Sequence, residues 1–99
     1  MSGSEMELDA PPIFEIGQKV QLTKTIRNDG TFSGRELREI LARKGDVGYV
    51  VAIGTFLQSF YIYSVHFIEL GIVVGCRGSE LASPVEEKSQ IRYQNPENP

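Results

Sequence analysis

Apolar residues occur in short runs along the middle of the chain, and glycines separate these runs. Apolar and polar positions alternate in the first and third runs, whereas the second is apolar on both faces. The runs lie at residues 19–26, 47–54, 60–67 and 72–77, and they are rich in β-branched and aromatic residues. Alternation with a period of two, bounded by glycine, is typical of strands in an antiparallel sheet. A short last strand or single turn follows at residues 78–81, where the Leu81 side chain would pack against the end of the core.

These five short strands predict an all-β fold. We expect a small SH3-like five-stranded barrel over residues 13–83, with one long decorated loop after the first strand. Closing five strands into a barrel hides most strand edges, so a core of about ten side chains is sufficient for a domain of this size.

The long loop begins with a turn signal, Asn-Asp-Gly at residues 28–30, because these residue types tolerate positive φ. Residues 33–36 then fit a capping box, and Leu37 and Leu41 follow at helical spacing. This pattern predicts one or two helical turns within residues 34–43. An extended loop in which Leu37 and Leu41 are anchored to the barrel is the alternative.

Both ends of the chain differ from its middle in composition. Residues 1–12 are small, acidic or proline, which predicts a disordered acidic leader, and residues 84–99 predict a disordered C-terminal tail. The two ends together hold six acidic and two basic residues, a charge of −4, which leaves +1 for residues 13–83. The nearly neutral charge of residues 13–83 argues against nucleic acid as a partner, because such binding relies on a cluster of basic side chains.

Cysteine use and hydropathy indicate the compartment. The chain of 99 residues has a single cysteine, so it forms no internal disulfide, and it has no apolar stretch of membrane length. We therefore predict a cytoplasmic protein with no membrane partner.

Cys76 and His66 are each the only residue of their type. If Val65 lies opposite Cys76 in the hairpin, the thiol points into the core. If Ser64 lies opposite Cys76, His66 sits diagonally from the thiol and the two could pair. The chain has no CxxC motif and no second histidine, so we predict no metal and no cofactor.

The sequence contains no nucleophile elbow, no phosphate-binding glycine loop and no paired carboxylates in its body, which predicts a protein that is not an enzyme. Aromatic residues are abundant instead. Phe56, Phe60, Tyr61 and Tyr63 exceed what a small barrel can bury together with its other aromatics, so some are expected on a protein-binding surface. The alternative is that they fill the barrel ends.

Five segments together resemble the NifZ family of nitrogen-fixation proteins. They are residues 14–20, 26–32, 44–50, 60–67 and 73–77, and the resemblance extends over residues 14–81. It implies an accessory factor that assists maturation of the P-cluster of the nitrogenase molybdenum–iron protein by protein contact. The implied partners are the immature molybdenum–iron protein and the nitrogenase iron protein. The resemblance implies no catalytic residues.

We predict partner contacts at one turn, at the aromatic residues and near the end of the fourth run. The candidate residues are Asn28, Asp29, Gly30, Phe32, Phe56, Tyr61, His66 and Arg77. Two other functions stay open: an SH3-like barrel that binds RNA or the ribosome, and a metal or redox carrier that uses Cys76 and His66.

Overall fold

A computed structural model describes residues 7–84. The rest of the predicted leader and tail, residues 1–6 and 85–99, lies outside the described residues. The strands are β1 (Lys19–Leu22), β2 (Ile26–Arg27), β3 (Ile40–Ala42), β4 (Val47–Phe56), β5 (Phe60–Phe67), β6 (Ile72–Cys76) and β7 (Leu81–Ala82). Between residues 7 and 84 the helical elements are two 3-10 turns, Glu7–Asp9 and Gly78–Glu80.

The strands form two antiparallel sheets. Five strands pair in the order β6-β5-β4-β1-β7, and β2 pairs with β3 in a separate two-stranded sheet. The predicted all-β class is confirmed. The predicted closed barrel is not confirmed, because the chain bends after β1 and its continuation, β2, pairs with β3 instead of β6. The five-stranded sheet is therefore open, with β6 and β7 at its edges.

The core covers one face of the five-stranded sheet. Alternation along each strand directs the following side chains to this face: Val20, Leu22, Val50, Tyr63, Val65, Phe67, Val74 and Cys76. Full burial of a Val, Leu or Phe side chain stabilises the fold by about 1.5–3 kcal/mol. Phe14 closes the core by packing edge-on against Tyr63, with ring centroids 5.4 Å apart. The Tyr63 hydroxyl accepts a hydrogen bond from the Ile13 N–H (3.0 Å).

The segment before residue 13 contacts the sheet, although the sequence places it in the leader. The Tyr61 N–H donates to Glu7 Oε2 (3.0 Å), and the Tyr61 hydroxyl donates to the Ala10 carbonyl (2.6 Å). At the other end, Pro84 is fully buried. Packing against the sheet therefore includes residues from Glu7 to Pro84.

The predicted helical turns within residues 34–43 do not form. Gly34 and Arg38 have φ values of 85° and 71°, and a right-handed helix requires negative φ at both positions. The segment is instead an extended loop that leads into β3, as the alternative proposed. Leu41 is buried, whereas Leu37 is 67% exposed, so Leu41 anchors the loop and Leu37 does not.

Candidate protein-binding groove

A groove separates β2 and the turn that follows it from the strands β5 and β6. It consists of two adjoining cavities of about 410 and 380 Å³, and we call it the seam groove. One wall carries Lys24, Ile26, Arg27, Asp29 and Phe32, and the opposite wall carries Phe56, Phe60, Ile62, Gly75 and Arg77. The seam groove therefore lies where a closed barrel would join β2 to β6.

Two stacked phenylalanines and one arginine form one end of the seam groove. The β4–β5 register places Phe56 opposite Phe60, so both rings lie on the same face of the hairpin. Their centroids are 5.4 Å apart, and Phe56 remains 50% exposed. The Arg77 guanidinium lies 3.5 Å from the centroid of the Phe60 ring. Such a cation–π contact contributes about 0.5–1 kcal/mol at an exposed site and holds the arginine in place.

Arg77 also forms an ion pair with Glu7, at 3.6 Å between Nη2 and Oε1. Both side chains are about 40% exposed, so solvent screens the pair and its contribution to stability is within about 1 kcal/mol. The guanidinium therefore lies at the rim of the seam groove, half exposed, with its charge partly balanced by Glu7.

Asn28 supports the wall that carries Asp29 and Phe32. It is 2% exposed, and its Nδ2 donates to the carbonyls of Phe32 (3.1 Å), Arg35 (3.0 Å) and Glu36 (3.2 Å). Its Oδ1 accepts from the N–H groups of Gly30 (2.9 Å) and Phe32 (3.1 Å). A buried asparagine with this many backbone partners determines the path of the loop. Asn28 therefore supports the wall and does not line it.

Asp29 supplies an exposed negative charge on the same wall. Its Oδ1 accepts hydrogen bonds from the Thr31 hydroxyl (2.7 Å) and the Thr31 N–H (3.2 Å). Both bonds lower the pKa of Asp29 because they favour the ionised carboxylate, and the bond from the Thr31 hydroxyl has the larger effect. Asp29 is thus an ionised carboxylate in the wall that also carries the cations Lys24 and Arg27.

The structure brings four of the eight predicted contact residues to the seam groove: Asp29, Phe32, Phe56 and Arg77. The other four lie elsewhere. Asn28 is buried, and Gly30 forms the turn with φ 102°. Tyr61 is bonded to the Glu7–Ala10 segment. His66 lies opposite Val73, toward the far end of the hairpin.

Sequence reasoning missed Ile62 and Gly75 as groove residues. Ile62 shares its face of β5 with Phe60, so period-two spacing from Phe60 was an available signal. Because Gly75 has no side chain, it leaves the Ile62 side chain accessible in the groove. A Cβ atom at position 75 would lie 3.0 Å from Ile62 Cγ2. The residue type alone carried no signal for that role, because a glycine near a strand end has many uses.

Cys76 is the buried thiol of the first alternative, and the Cys76–His66 pair that the second register would allow does not form. The hairpin places Phe67 opposite Ile72 and Tyr63 opposite Cys76, which is neither of the two predicted registers. A four-residue loop at 68–71 sets this register. It directs the thiol to the core, where Cys76 is 1% exposed, and directs His66 to the other face. Within residues 7–84, no three His, Cys, Asp or Glu side chains converge as metal ligands would.

Burial makes stability depend on the ionisation of Cys76 at high pH. Desolvation, with a smaller contribution from Glu80, raises the pKa of the thiol from 9.0 to about 12. Below pH 9 both the folded and the unfolded chain keep the proton. Between the two pKa values only the unfolded chain loses it, so the free energy of unfolding falls by up to about 1.4 kcal/mol per pH unit.

Urea unfolding at about pH 8 and about pH 10 checks this expectation, with Cys76→Ala as the control for other groups that titrate there. The native protein is expected to lose more stability over this interval than the variant. Equal losses in the two proteins would contradict a buried, protonated thiol.

The fold and the seam groove define the class: a small all-β domain with an open groove of aromatic, aliphatic and basic side chains. No helix between residues 7 and 84 is long and apolar enough to cross a membrane.

Comparison with known proteins identifies the family. The NifZ domain matches residues 11–83. A putative NifZ protein of Sinorhizobium fredii is 54% identical over 79 residues, 80% of this chain and 73% of the relative. A probable NifZ protein of Rhodobacter capsulatus is 49% identical over 71 residues, 72% of this chain and 91% of the relative. Protein NifZ of Azotobacter vinelandii is 47% identical over 70 residues, 71% of this chain but 44% of the relative. No solved structure matches.

The chain belongs to the NifZ family, which confirms the resemblance found in the sequence. It is accordingly a nitrogen-fixation accessory protein.

Proposed function

We propose that this protein assists maturation of the P-cluster of the nitrogenase molybdenum–iron protein by binding the immature form in the cytoplasm. The nitrogenase iron protein is the second proposed partner. The protein acts by contact and not as an enzyme. The observation that carries the proposal is the seam groove in a NifZ domain, with Phe56 half exposed and Arg77 held at its rim.

Aromatic residues and arginine supply much of the binding energy at protein interfaces. Phe56 and Arg77 are exposed, and the contacts described above hold both in place. Ordering them on binding therefore costs less conformational entropy than ordering free side chains. This pre-organisation supports the seam groove as the surface that meets the client.

Binding of this kind assists maturation by shifting populations. A factor that binds one conformation of the client ten times more tightly than another shifts the equilibrium by about 1.4 kcal/mol. The favoured conformation would be the one in which the cluster can form. The chemistry of cluster formation then belongs to the client and to the iron protein.

Two features of the described residues support contact with protein over the other functions considered. The seam groove is lined by the basic residues Lys24, Arg27 and Arg77 and by the acidic residues Asp29 and Glu80, so its charge is nearly balanced. RNA binding relies on a stronger surplus of positive charge. A redox carrier would need an accessible thiol, and Cys76 lies in the core.

A pull-down on immature molybdenum–iron protein tests the proposal. Phe56→Ala and Arg77→Ala are each expected to weaken retention about tenfold or more, because truncating an anchor residue of an interface costs about 2 kcal/mol. Asp29→Ala is expected to weaken it less. Leu57→Ala is the matched control, since Leu57 adjoins Phe56 in sequence, is 78% exposed and does not line the groove.

If the wild-type protein is retained and Phe56→Ala and Arg77→Ala bind as well as Leu57→Ala, the client contacts another surface. If the wild-type protein is not retained at all, the proposed function itself is wrong. Circular dichroism of each variant distinguishes lost binding from lost folding.

A further inference from the structure

The edge strand β6 presents unpaired backbone groups to the seam groove. The N–H and C=O of Val50 form hydrogen bonds of 3.0 and 2.7 Å with the chain just before β1. Its partner on β5, Val65, therefore directs its own groups toward Val74 on β6. Alternation then turns the N–H and C=O groups of Val73 and Gly75 away from β5. They form no hydrogen bond to another group within residues 7–84.

The edge of β6 lacks the usual protection against strand addition. Its residues, Ile72–Cys76, include no charged side chain and no proline, and Val73 is 47% exposed. Exposed edges are commonly protected by charge, proline or a very short strand. The opposite edge of the sheet, β7, has only two residues. The five residues of β6 are thus the longer and less protected edge.

The space beside β6 lies where a further strand of the sheet would pair. The Thr23 N–H donates to the Glu80 carbonyl (2.8 Å), and this bond ties the two walls together at one end. Beyond it β2 and β6 separate, and the seam groove opens between them. Apolar side chains from both walls, among them Ile26, Phe32 and Ile62, line this space.

Charge is uneven along the seam groove. Lys24 and Arg77 line only the cavity nearer the Thr23–Glu80 bond, whereas Phe32 and Val73 line only the other cavity. The Arg77 guanidinium contacts Glu7 (3.6 Å). Lys24 makes no ion pair within residues 7–84 and is the cation at this end that a ligand can still neutralise. A ligand with a carboxylate at the cationic end and apolar groups beyond it complements this surface.

We infer that the seam groove binds an extended segment of the client polypeptide, which adds a strand to β6 through Val73 and Gly75. The segment carries apolar side chains at alternate positions and a carboxylate at the end near Lys24 and Arg77. About five residues suffice, since β6 has that length. The inference rests on the proposed function, because the client supplies the segment.

A synthetic peptide tests the strand addition without the client. The probe is a peptide of alternating valine and threonine with glutamate at one end, titrated into isotope-labelled protein and followed by NMR. The amide signals of Val73 and Gly75 are expected to shift with saturation and to exchange more slowly with solvent. A matched peptide with N-methylated amides on the pairing edge is expected to bind about tenfold more weakly, because it lacks those donors.

A variant of the edge strand gives the second arm, in which retention on the immature molybdenum–iron protein is measured. Val73→Pro removes an N–H that the fold leaves unpaired, and Val73→Ala keeps it. Weaker retention of folded Val73→Pro than of Val73→Ala supports the inference. Equal retention of the two overturns it and leaves the proposed function in place. If the wild-type protein is not retained, the proposed function fails and the peptide titration alone decides whether the groove accepts a strand.

Three results of the titration overturn the inference. One is the absence of saturable shifts at Val73 and Gly75 up to millimolar peptide. Another is equal binding of the normal and N-methylated peptides. The third is a concentration-dependent dimer, measured by analytical ultracentrifugation, in which β6 of a second copy occupies the edge and excludes the peptide.

Discussion

Replacing Gly48 with alanine is expected to lower the free energy of unfolding by about 3 kcal/mol or more. A Cβ atom at this position would lie 2.7 Å from the His66 carbonyl oxygen and 2.7 Å from Val65 Cγ1. The first of these neighbours is backbone in the central β4–β5 pair, so relief requires the two strands to separate. Urea unfolding measures the loss.

Gly54→Ala is the matched control because Gly54 lies in the same strand, β4, and a Cβ atom there meets no atom within 4 Å. The free energy of unfolding of Gly54→Ala is expected to change by less than about 1 kcal/mol. At such a site alanine acts mainly by reducing the conformational entropy of the unfolded chain. Equal stability of the two variants would show that β4 and β5 leave room for a Cβ atom at Gly48, contrary to the 2.7 Å approach of the His66 carbonyl oxygen.

The second large effect is expected at Asn28. Asn28→Ala removes five side-chain hydrogen bonds to backbone groups between Gly30 and Glu36. A buried backbone group left without a partner costs about 1–3 kcal/mol, although water reaches part of this loop. We therefore expect a loss of about 3 kcal/mol in the free energy of unfolding, together with faster amide exchange throughout residues 29–38.

Asp29→Ala is the neighbouring control. Asp29 is exposed and its side chain accepts local hydrogen bonds from Thr31, so its loss is expected to leave the fold largely intact. If Asn28→Ala is as stable as Asp29→Ala, the loop is held by other contacts and Asn28 does not determine its path.

These two effects connect stability with the proposed site. Gly48 allows the close pairing of β4 with β5, and that hairpin carries Phe56 and Phe60 at its other end. Asn28 holds the loop that carries Asp29 and Phe32. The wall with Phe56 and Phe60 therefore depends on Gly48, and the wall with Asp29 and Phe32 depends on Asn28. Neither Gly48 nor Asn28 lines the seam groove itself.

The sequence alone determined the strand positions and the family. Period-two alternation located β1 and β5, because a half-exposed strand requires an apolar residue at every second position. Runs of β-branched and aromatic residues between glycines located β4 and β6. The sequence also located the turn at residues 28–30. The motifs of the five segments pointed to NifZ without any knowledge of the fold.

Only the tertiary structure decided how these pieces meet. The hairpin register depends on the loop at 68–71, whose backbone conformation local sequence did not specify, and that register separated Cys76 from His66. The capping-box pattern at 33–36 was outweighed by the hydrogen bonds of Asn28, which a helix could not accommodate. The seam groove exists because β2 pairs with β3 and not with β6, and pairing between distant strands is determined by packing of the whole chain.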